Sequence, residues 1–97
     1  MEKGRHVHLV IKGRVQGVWF RAGTRETAEA LGIQGWVKNL PDQSVEVDAT
    51  GGTESMERFI RWCYKGPPGA RVTDVDISEL DPPSADTQGT EGFKILR

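Results

Sequence analysis

A glycine-interrupted loop is the segment of this sequence best suited to chemistry. Residues 13–21 read GRVQGVWFR and contain Gly13, Gly17 and Arg21. A loop that runs from a strand into the start of a helix can direct several backbone N–H groups to one place, where they and the positive helix end bind an anion. Arg21, at the junction of loop and helix, can add a bidentate guanidinium contact to the same anion. The loop pattern alone also fits a tight turn in which Gly17 has a positive φ angle.

Cys63 and Arg71 invite comparison with the cysteine phosphatases, whose cysteine and arginine bracket a phosphate-binding loop. The segment between Cys63 and Arg71 is longer than such a loop and contains Pro67 and Pro68, which have no backbone N–H to donate. Cys63 also falls on an apolar helical stripe. We therefore predict that Cys63 packs in the core.

His6 and His8 lie two residues apart on one face of a predicted strand, as metal ligands can. The chain has no other histidine, and no cluster of carboxylates accompanies the pair. Both are expected to be surface residues, and we predict no metal and no cofactor.

The charge balance excludes a protein that binds polyanions through bulk charge. The 97 residues carry 13 Lys and Arg against 14 Asp and Glu, a net charge of −1. Residues 1–40 hold seven basic and three acidic side chains, so the first part of the chain can still hold a focused anion site. The single cysteine excludes an intrachain disulfide, and no leader or membrane segment is recognisable. We expect a cytoplasmic protein that binds neither nucleic acid nor membrane.

Hydrophobic periodicity predicts two helices and five strands. Alternation of apolar and polar residues predicts strands over residues 5–13, 36–40, 44–50 and 71–80, the last with a bulge between Val72 and Val75, and a short strand at 93–95. Apolar or small residues at i, i+3, i+4 and i+7 predict one helix ended by Gly32, and a second that Thr53 caps and that stops at Gly66. Residues 82–91 are polar and are expected to form a loop. The helical stripes are Thr24, Thr27, Ala28 and Leu31, and then Met56, Phe59, Ile60 and Cys63.

The order β-α-β-β-α-β predicts one α+β domain over residues 1–97. Its sheet is expected to have four or five largely antiparallel strands, with both helices on one face. Such a fold hosts many functions and by itself names none.

Three segments of the chain resemble the acylphosphatase family: GRVQGVWFR at 13–21, GWVKN at 35–39 and LPDQSVEV at 40–47. The likeness extends to LGI at 31–33, GPPGARV at 66–72 and FKI at 93–95, and so covers most of residues 7–96. It implies a ferredoxin-like fold. It also implies a monomeric enzyme that hydrolyses small acyl phosphates to a carboxylate and inorganic phosphate without a metal.

The resemblance also implies roles for individual residues. Arg21 matches the phosphate-binding catalytic arginine of the family, and Asn39 matches the asparagine that positions the attacking water. One departure lies in the hairpin, where this chain has Asp42-Gln43 and the family usually has Asp-Gly, a glycine that suits a positive φ angle. The backbone cradle around the phosphoryl oxygens matches Val15, Gln16, Gly17, Val18, Trp19 and Phe20.

Two non-catalytic alternatives remain beside the enzyme hypothesis. An RNA-binding βαββαβ module needs aromatic and basic residues on its central strands, whereas the third strand offers Glu46 and Asp48 and no aromatic residue. A regulatory phosphate-binding module would keep the cradle, but it has no need of Asn39.

Overall fold

The computed structural model of the protein describes residues 4–81 and 92–96. The predicted order of elements is confirmed, although most boundaries differ by one or two residues. The predicted loop at residues 82–91 lies outside the described residues. The elements are β1 (Arg5–Arg14), α1 (Phe20–Leu31), β2 (Gln34–Asn39), β3 (Val45–Gly51), α2 (Thr53–Lys65), β4 (Arg71–Leu80) and β5 (Phe93–Ile95).

The five strands form one sheet in the order β4-β1-β3-β2-β5. Neighbouring strands are antiparallel except β2 and β5, which run parallel with Val37 opposite Ile95. The ferredoxin-like α+β fold is therefore confirmed. Because β2 and β5 are parallel, their carboxyl ends meet at the same end of the sheet, where Asn39 is the last residue of β2.

The core lies between the sheet and the two helices. On β1, Val7, Leu9 and Ile11 are fully buried, while the residues that alternate with them face the open side of the sheet. Helix α2 contributes Phe59 and Cys63, which are also fully buried. The helical period of α2 and the strand period of β1 thus direct their apolar faces to one core. Neither described helix combines the length and the apolar composition that a membrane crossing requires.

A bulge interrupts the pairing of β1 with β4, as the sequence predicts. Lys12 lies opposite Asp74 and Gly13 lies opposite Val72, so that Thr73 is the extra residue. Gly13 has a φ angle of 123°, and a Cβ atom on it would lie 2.1 Å from the carbonyl oxygen of Arg71. Only glycine fits at this close approach of the two strands.

The start of α2 differs from the sequence prediction. Gly52, and not Thr53, is the N-cap residue, since Gly52 has an extended backbone (φ −66°, ψ 157°) and Thr53 is already helical. The carbonyl of Gly52 accepts the backbone N–H of Met56 at 2.8 Å. Glycine is well accepted at an N-cap, and Glu54 lies in the first turn as expected. The end of α1 agrees with the prediction, because Gly32 is a left-handed C-cap with φ 72°.

A five-residue connection, residues 40–44, joins β2 to β3. The N–H of Leu40 donates to the carbonyl of Ser44 at 2.9 Å, and the N–H of Gln43 donates to the carbonyl of Leu40 at 3.2 Å. The carboxylate of Asp42 accepts the N–H of Ser44 at 3.1 Å and also its hydroxyl. These bonds from Ser44 hold the pKa of Asp42 below its usual value. Gln43 has a φ angle of 78°, the left-handed conformation that glycine adopts without strain.

Replacement of Gln43 by glycine is expected to stabilise the protein. Gln43→Gly removes the strain of the left-handed conformation, which stabilises the folded state. Glycine also increases the conformational entropy of the unfolded chain, which offsets part of this stabilisation. The free energy of unfolding should therefore rise by about 0.5–1 kcal/mol. Urea denaturation measures this change. The control is Gln43→Ala, which keeps a Cβ atom at the positive φ angle and should bring no gain. Equal stability of the glycine and alanine variants would contradict the prediction.

Candidate functional site

The loop between β1 and α1 turns sharply and leaves its backbone donors free. Gly17 has a φ angle of 75° and Trp19, the N-cap of α1, has a φ angle of 64°. Among the described residues, no backbone carbonyl accepts a hydrogen bond from the N–H groups of residues 16–19. No side chain caps the start of α1 either. The loop and the first turn of α1 therefore present a group of unpaired N–H donors at the positive end of a helix.

The loop borders an open cavity of about 880 Å³. The cavity lies where the loop, the start of α1 and the carboxyl ends of β2 and β5 come together. The residues that line it are Val15, Gln16, Gly17, Trp19, Phe20, Arg21, Ala22, Asn39 and Ile95.

Arg21 is the second residue of α1, and its side chain lines the cavity. None of the carboxylates in the described part of the chain forms an ion pair with Arg21, whereas Arg25, one turn later, pairs with Glu29 at 3.6 Å. A cation at a helix N-terminus is placed unfavourably with respect to the helix dipole. The guanidinium and the free N–H donors of the loop therefore form one positive site that an anion would satisfy.

Asn39 reaches the same cavity from the end of β2. Its Oδ1 atom is buried and has no hydrogen-bond partner among the described residues. A buried carbonyl oxygen without a partner costs about 1–3 kcal/mol, so such groups are rare away from functional sites. The carboxamide of Asn39 is thus held at the cavity by the strand rather than by bonds of its own.

The side chain of Gln16 links the loop to the hairpin that follows Asn39. Its Nε2 donates to the carbonyl oxygen of Leu40 at 2.9 Å and to that of Ser44 at 2.9 Å. Leu40 directly follows Asn39 in the chain. The loop that carries the free N–H donors and the strand end that carries Asn39 are therefore tied together by one side chain.

The structure brings together all but one of the residues that the sequence singles out for this site. Val18 does not line the cavity, because its side chain packs against the core. Sequence reasoning missed Ile95 and the side-chain role of Gln16. No local pattern in the sequence indicates either one, since their partners in the site are distant along the chain.

The competing candidates lie elsewhere. Cys63 lies on α2 and is fully buried in the hydrophobic core, as predicted, and burial raises the pKa of its thiol. His6 and His8 lie on the open face of the sheet, where His6 Nε2 is 2.8 Å from Asp48 Oδ1 and His8 Nε2 is 2.7 Å from Glu46 Oε2. In residues 4–81 and 92–96, no three metal-ligating side chains are grouped so that they could hold an ion.

Comparison with known proteins finds matches over nearly the whole chain. The family model named Acylphosphatase matches residues 7–95. A curated relative named Acylphosphatase from Methylococcus capsulatus is 50% identical over 93 residues, which cover 96% of this chain and 97% of that protein.

Two solved structures have the same fold. An acylphosphatase from Coxiella burnetii has a TM-score of 0.85 and 34% identity, over 96% of this chain and 93% of that chain. An acylphosphatase from Bacillus subtilis has a TM-score of 0.85 and 32% identity, over 96% of this chain and 99% of that chain.

Proposed function

Because this chain belongs to the acylphosphatase family and is an acyl phosphate hydrolase, we propose that its chemistry is direct in-line attack of water at phosphorus in the cavity described above. The substrate is a small acyl phosphate, and the products are a carboxylate and inorganic phosphate. The observation that carries the proposed roles is the meeting of the unpaired Arg21, the free loop N–H groups and Asn39 in one cavity.

The phosphoryl group is bound by Arg21 and by the backbone of residues 15–20. Phosphoryl transfer passes through a loose transition state with its charge spread over the peripheral oxygens, so catalysis depends on positioning and on charge stabilisation. Fixed N–H dipoles and a guanidinium supply both, and they need little reorganisation during the reaction. The loop N–H groups have no competing backbone acceptor in the described residues, which supports this assignment.

Asn39 positions the attacking water. An amide does not take up a proton at neutral pH, so Asn39 cannot serve as a base; it can only hold a water in line with the bond that breaks. The water oxygen bonds to phosphorus while the bond from phosphorus to the carboxyl oxygen breaks. The electron pair of that bond leaves with the carboxylate, and the proton of the water passes to a phosphate oxygen.

The leaving group needs no proton. The conjugate acid of a carboxylate has a pKa of about 4, so the carboxylate departs as an anion at neutral pH. This agrees with the cavity lining, in which the described residues include no aspartate, glutamate, histidine or cysteine. A phosphate monoester would have to expel an alkoxide without an acid, and we expect little monoesterase activity.

The test is release of phosphate from benzoyl phosphate, compared with p-nitrophenyl phosphate. We expect rapid hydrolysis of the first, slow hydrolysis of the second and the same rates in the presence of EDTA. Loss of activity with EDTA would show that a metal takes part. Failure to hydrolyse any acyl phosphate would favour a binding module in place of an enzyme.

We also propose that residues 1–97 act as a single monomeric domain in the cytoplasm and bind neither nucleic acid nor membrane. The open face of the sheet supports the first of these exclusions. On β1 and β3, its central strands, that face carries His6 and His8 paired with Asp48 and Glu46, and these carboxylates repel a phosphate backbone. Light scattering during gel filtration measures the oligomeric state, and a dimer would contradict the proposal.

Gln16 is expected to act as a positioning residue. Gln16→Met keeps the length of the side chain and removes both donors to the hairpin, so kcat should fall about tenfold through misplacement of Asn39. The free energy of unfolding should fall by about 1–2 kcal/mol. The control is Gln34→Met, since Gln34 lies on β2 but does not line the cavity. Equal kinetics of the Gln16→Met variant and wild type would contradict a positioning role.

A further inference from the structure

Two exposed apolar side chains line the cavity beside the phosphate-binding loop. Val15 and Phe20 also line it, but each is only 1% exposed and belongs to the core. Trp19 is 83% exposed and Ile95 is 37% exposed. Of the large apolar side chains that line the cavity, these two are exposed enough to contact a bound molecule.

The backbone conformation around Trp19 keeps its indole exposed to solvent. Trp19 has a φ angle of 64°, and its carbonyl accepts the N–H of Gly23 at 3.0 Å as α1 begins. A left-handed conformation is costly for a residue with a Cβ atom and persists where the surrounding backbone imposes it. With 83% of its surface exposed, Trp19 gains little from burial. Its size therefore has no evident purpose in the packing of the chain.

We propose that Trp19 and Ile95 bind the acyl group of the substrate, and that the protein prefers acyl phosphates with an aromatic or large apolar acyl group. This inference rests on the proposed function, in which the phosphoryl group occupies the loop. Trp19 belongs to that loop, so its side chain extends from the same backbone that donates to the phosphoryl oxygens. The acyl carbon is joined to phosphorus through a single oxygen atom, which places the acyl substituent next to the loop.

The chemistry of the two side chains matches such a substituent. An indole stacks on aromatic rings and covers apolar surface, and a branched aliphatic side chain adds apolar contact area. Acetyl phosphate has only a methyl group to offer and would gain little from either residue. The other exposed aromatic residue, Tyr64 on α2, does not line the cavity and provides a matched control.

The kinetic test compares benzoyl phosphate with acetyl phosphate. Trp19→Ala should lower the ratio of kcat/KM for benzoyl phosphate to kcat/KM for acetyl phosphate about five- to tenfold, the loss of one aromatic contact. Trp19 belongs to the loop that binds the phosphoryl group, so an effect of its replacement on the loop backbone is common to both substrates and cancels in this ratio. Trp19→Phe should restore most of the ratio. Ile95→Ala should lower the same ratio of kcat/KM values about twofold. Tyr64→Ala should affect neither substrate.

Binding of phosphonates gives a second readout that does not depend on turnover. Calorimetry should show that the wild type binds phenylphosphonate about five- to tenfold more tightly than methylphosphonate, and that Trp19→Ala binds the two alike. Equal affinity of the wild type for both phosphonates, or an equal effect of Trp19→Ala on both acyl phosphates, would overturn the inference while acyl phosphate hydrolysis stands. Absence of hydrolysis of either acyl phosphate would instead overturn the proposed function.

Discussion

Arg21→Ala is expected to lower kcat/KM for benzoyl phosphate by about two to three orders of magnitude, the loss seen when a preorganised electrostatic donor is removed from an active site. In the proposed mechanism the guanidinium contacts the phosphoryl group before and during the reaction, so KM should rise as kcat falls. Steady-state phosphate release measures both constants. Arg21→Lys should recover only part of the loss, because an ammonium is a single point charge and cannot make the bidentate contact.

The same substitution is expected to leave the fold intact or slightly more stable. Arg21 is a cation in the first turn of α1 and has no carboxylate partner among the described residues. Its removal should therefore change the free energy of unfolding by about +0.3 to +1 kcal/mol. Arg25→Ala is the matched control on the same helix, outside the cavity, and should retain wild-type turnover. Wild-type turnover in Arg21→Ala, or its unfolding, would contradict the assigned role.

Asn39→Ala is expected to lower kcat by about two orders of magnitude, since the attacking water loses its orientation. KM should change little, because in the proposed mechanism Asn39 positions the water and does not bind the phosphoryl group. Removal of the buried and unpartnered Oδ1 atom should leave the protein as stable as the wild type or raise the free energy of unfolding by about 1 kcal/mol.

Two further variants separate water positioning from local structure. Gln34→Ala removes an amide from the other face of the same strand and should retain full activity. Asn39→Asp keeps the shape of the side chain and adds a negative charge beside a phosphate dianion, so KM should rise. If Asn39→Ala keeps wild-type kcat, water is positioned by another group and the assignment is wrong.

The local sequence pattern predicts those helices and strands whose structure depends on their own residues alone. Alternation along β1 and the stripe of Met56, Phe59 and Cys63 along α2 indicate both the elements and the faces that are buried. The cap of α2 is different. Thr53 has the better capping side chain, but β3 extends to Gly51 and helical geometry already begins at Thr53, which leaves Gly52 as the N-cap.

The candidate site likewise contains residues that the sequence predicts and residues that it does not. The residues of one loop, and the likeness of two segments to a known family, indicate Arg21 and Asn39, and the structure places both at one cavity. Ile95 and the bonds of Gln16 depend on which strands become neighbours and on where a side chain ends after folding. Neither depends on a local period or spacing, so neither could be predicted from the sequence.

The parallel pairing of β5 with β2 determines when the cavity can exist. Its lining comes from residues 15–17, 19–22, 39 and 95, so its last member, Ile95, is translated long after the loop between β1 and α1. When the ribosome has already added Arg21 and Asn39 to the growing chain, strand β5, which borders them in the cavity, has not yet been synthesised. Contacts between residues so far apart in sequence carry a large loop-closure entropy and slow the folding of a domain. The complete cavity is thus expected to form late, only after nearly the whole domain has left the ribosome.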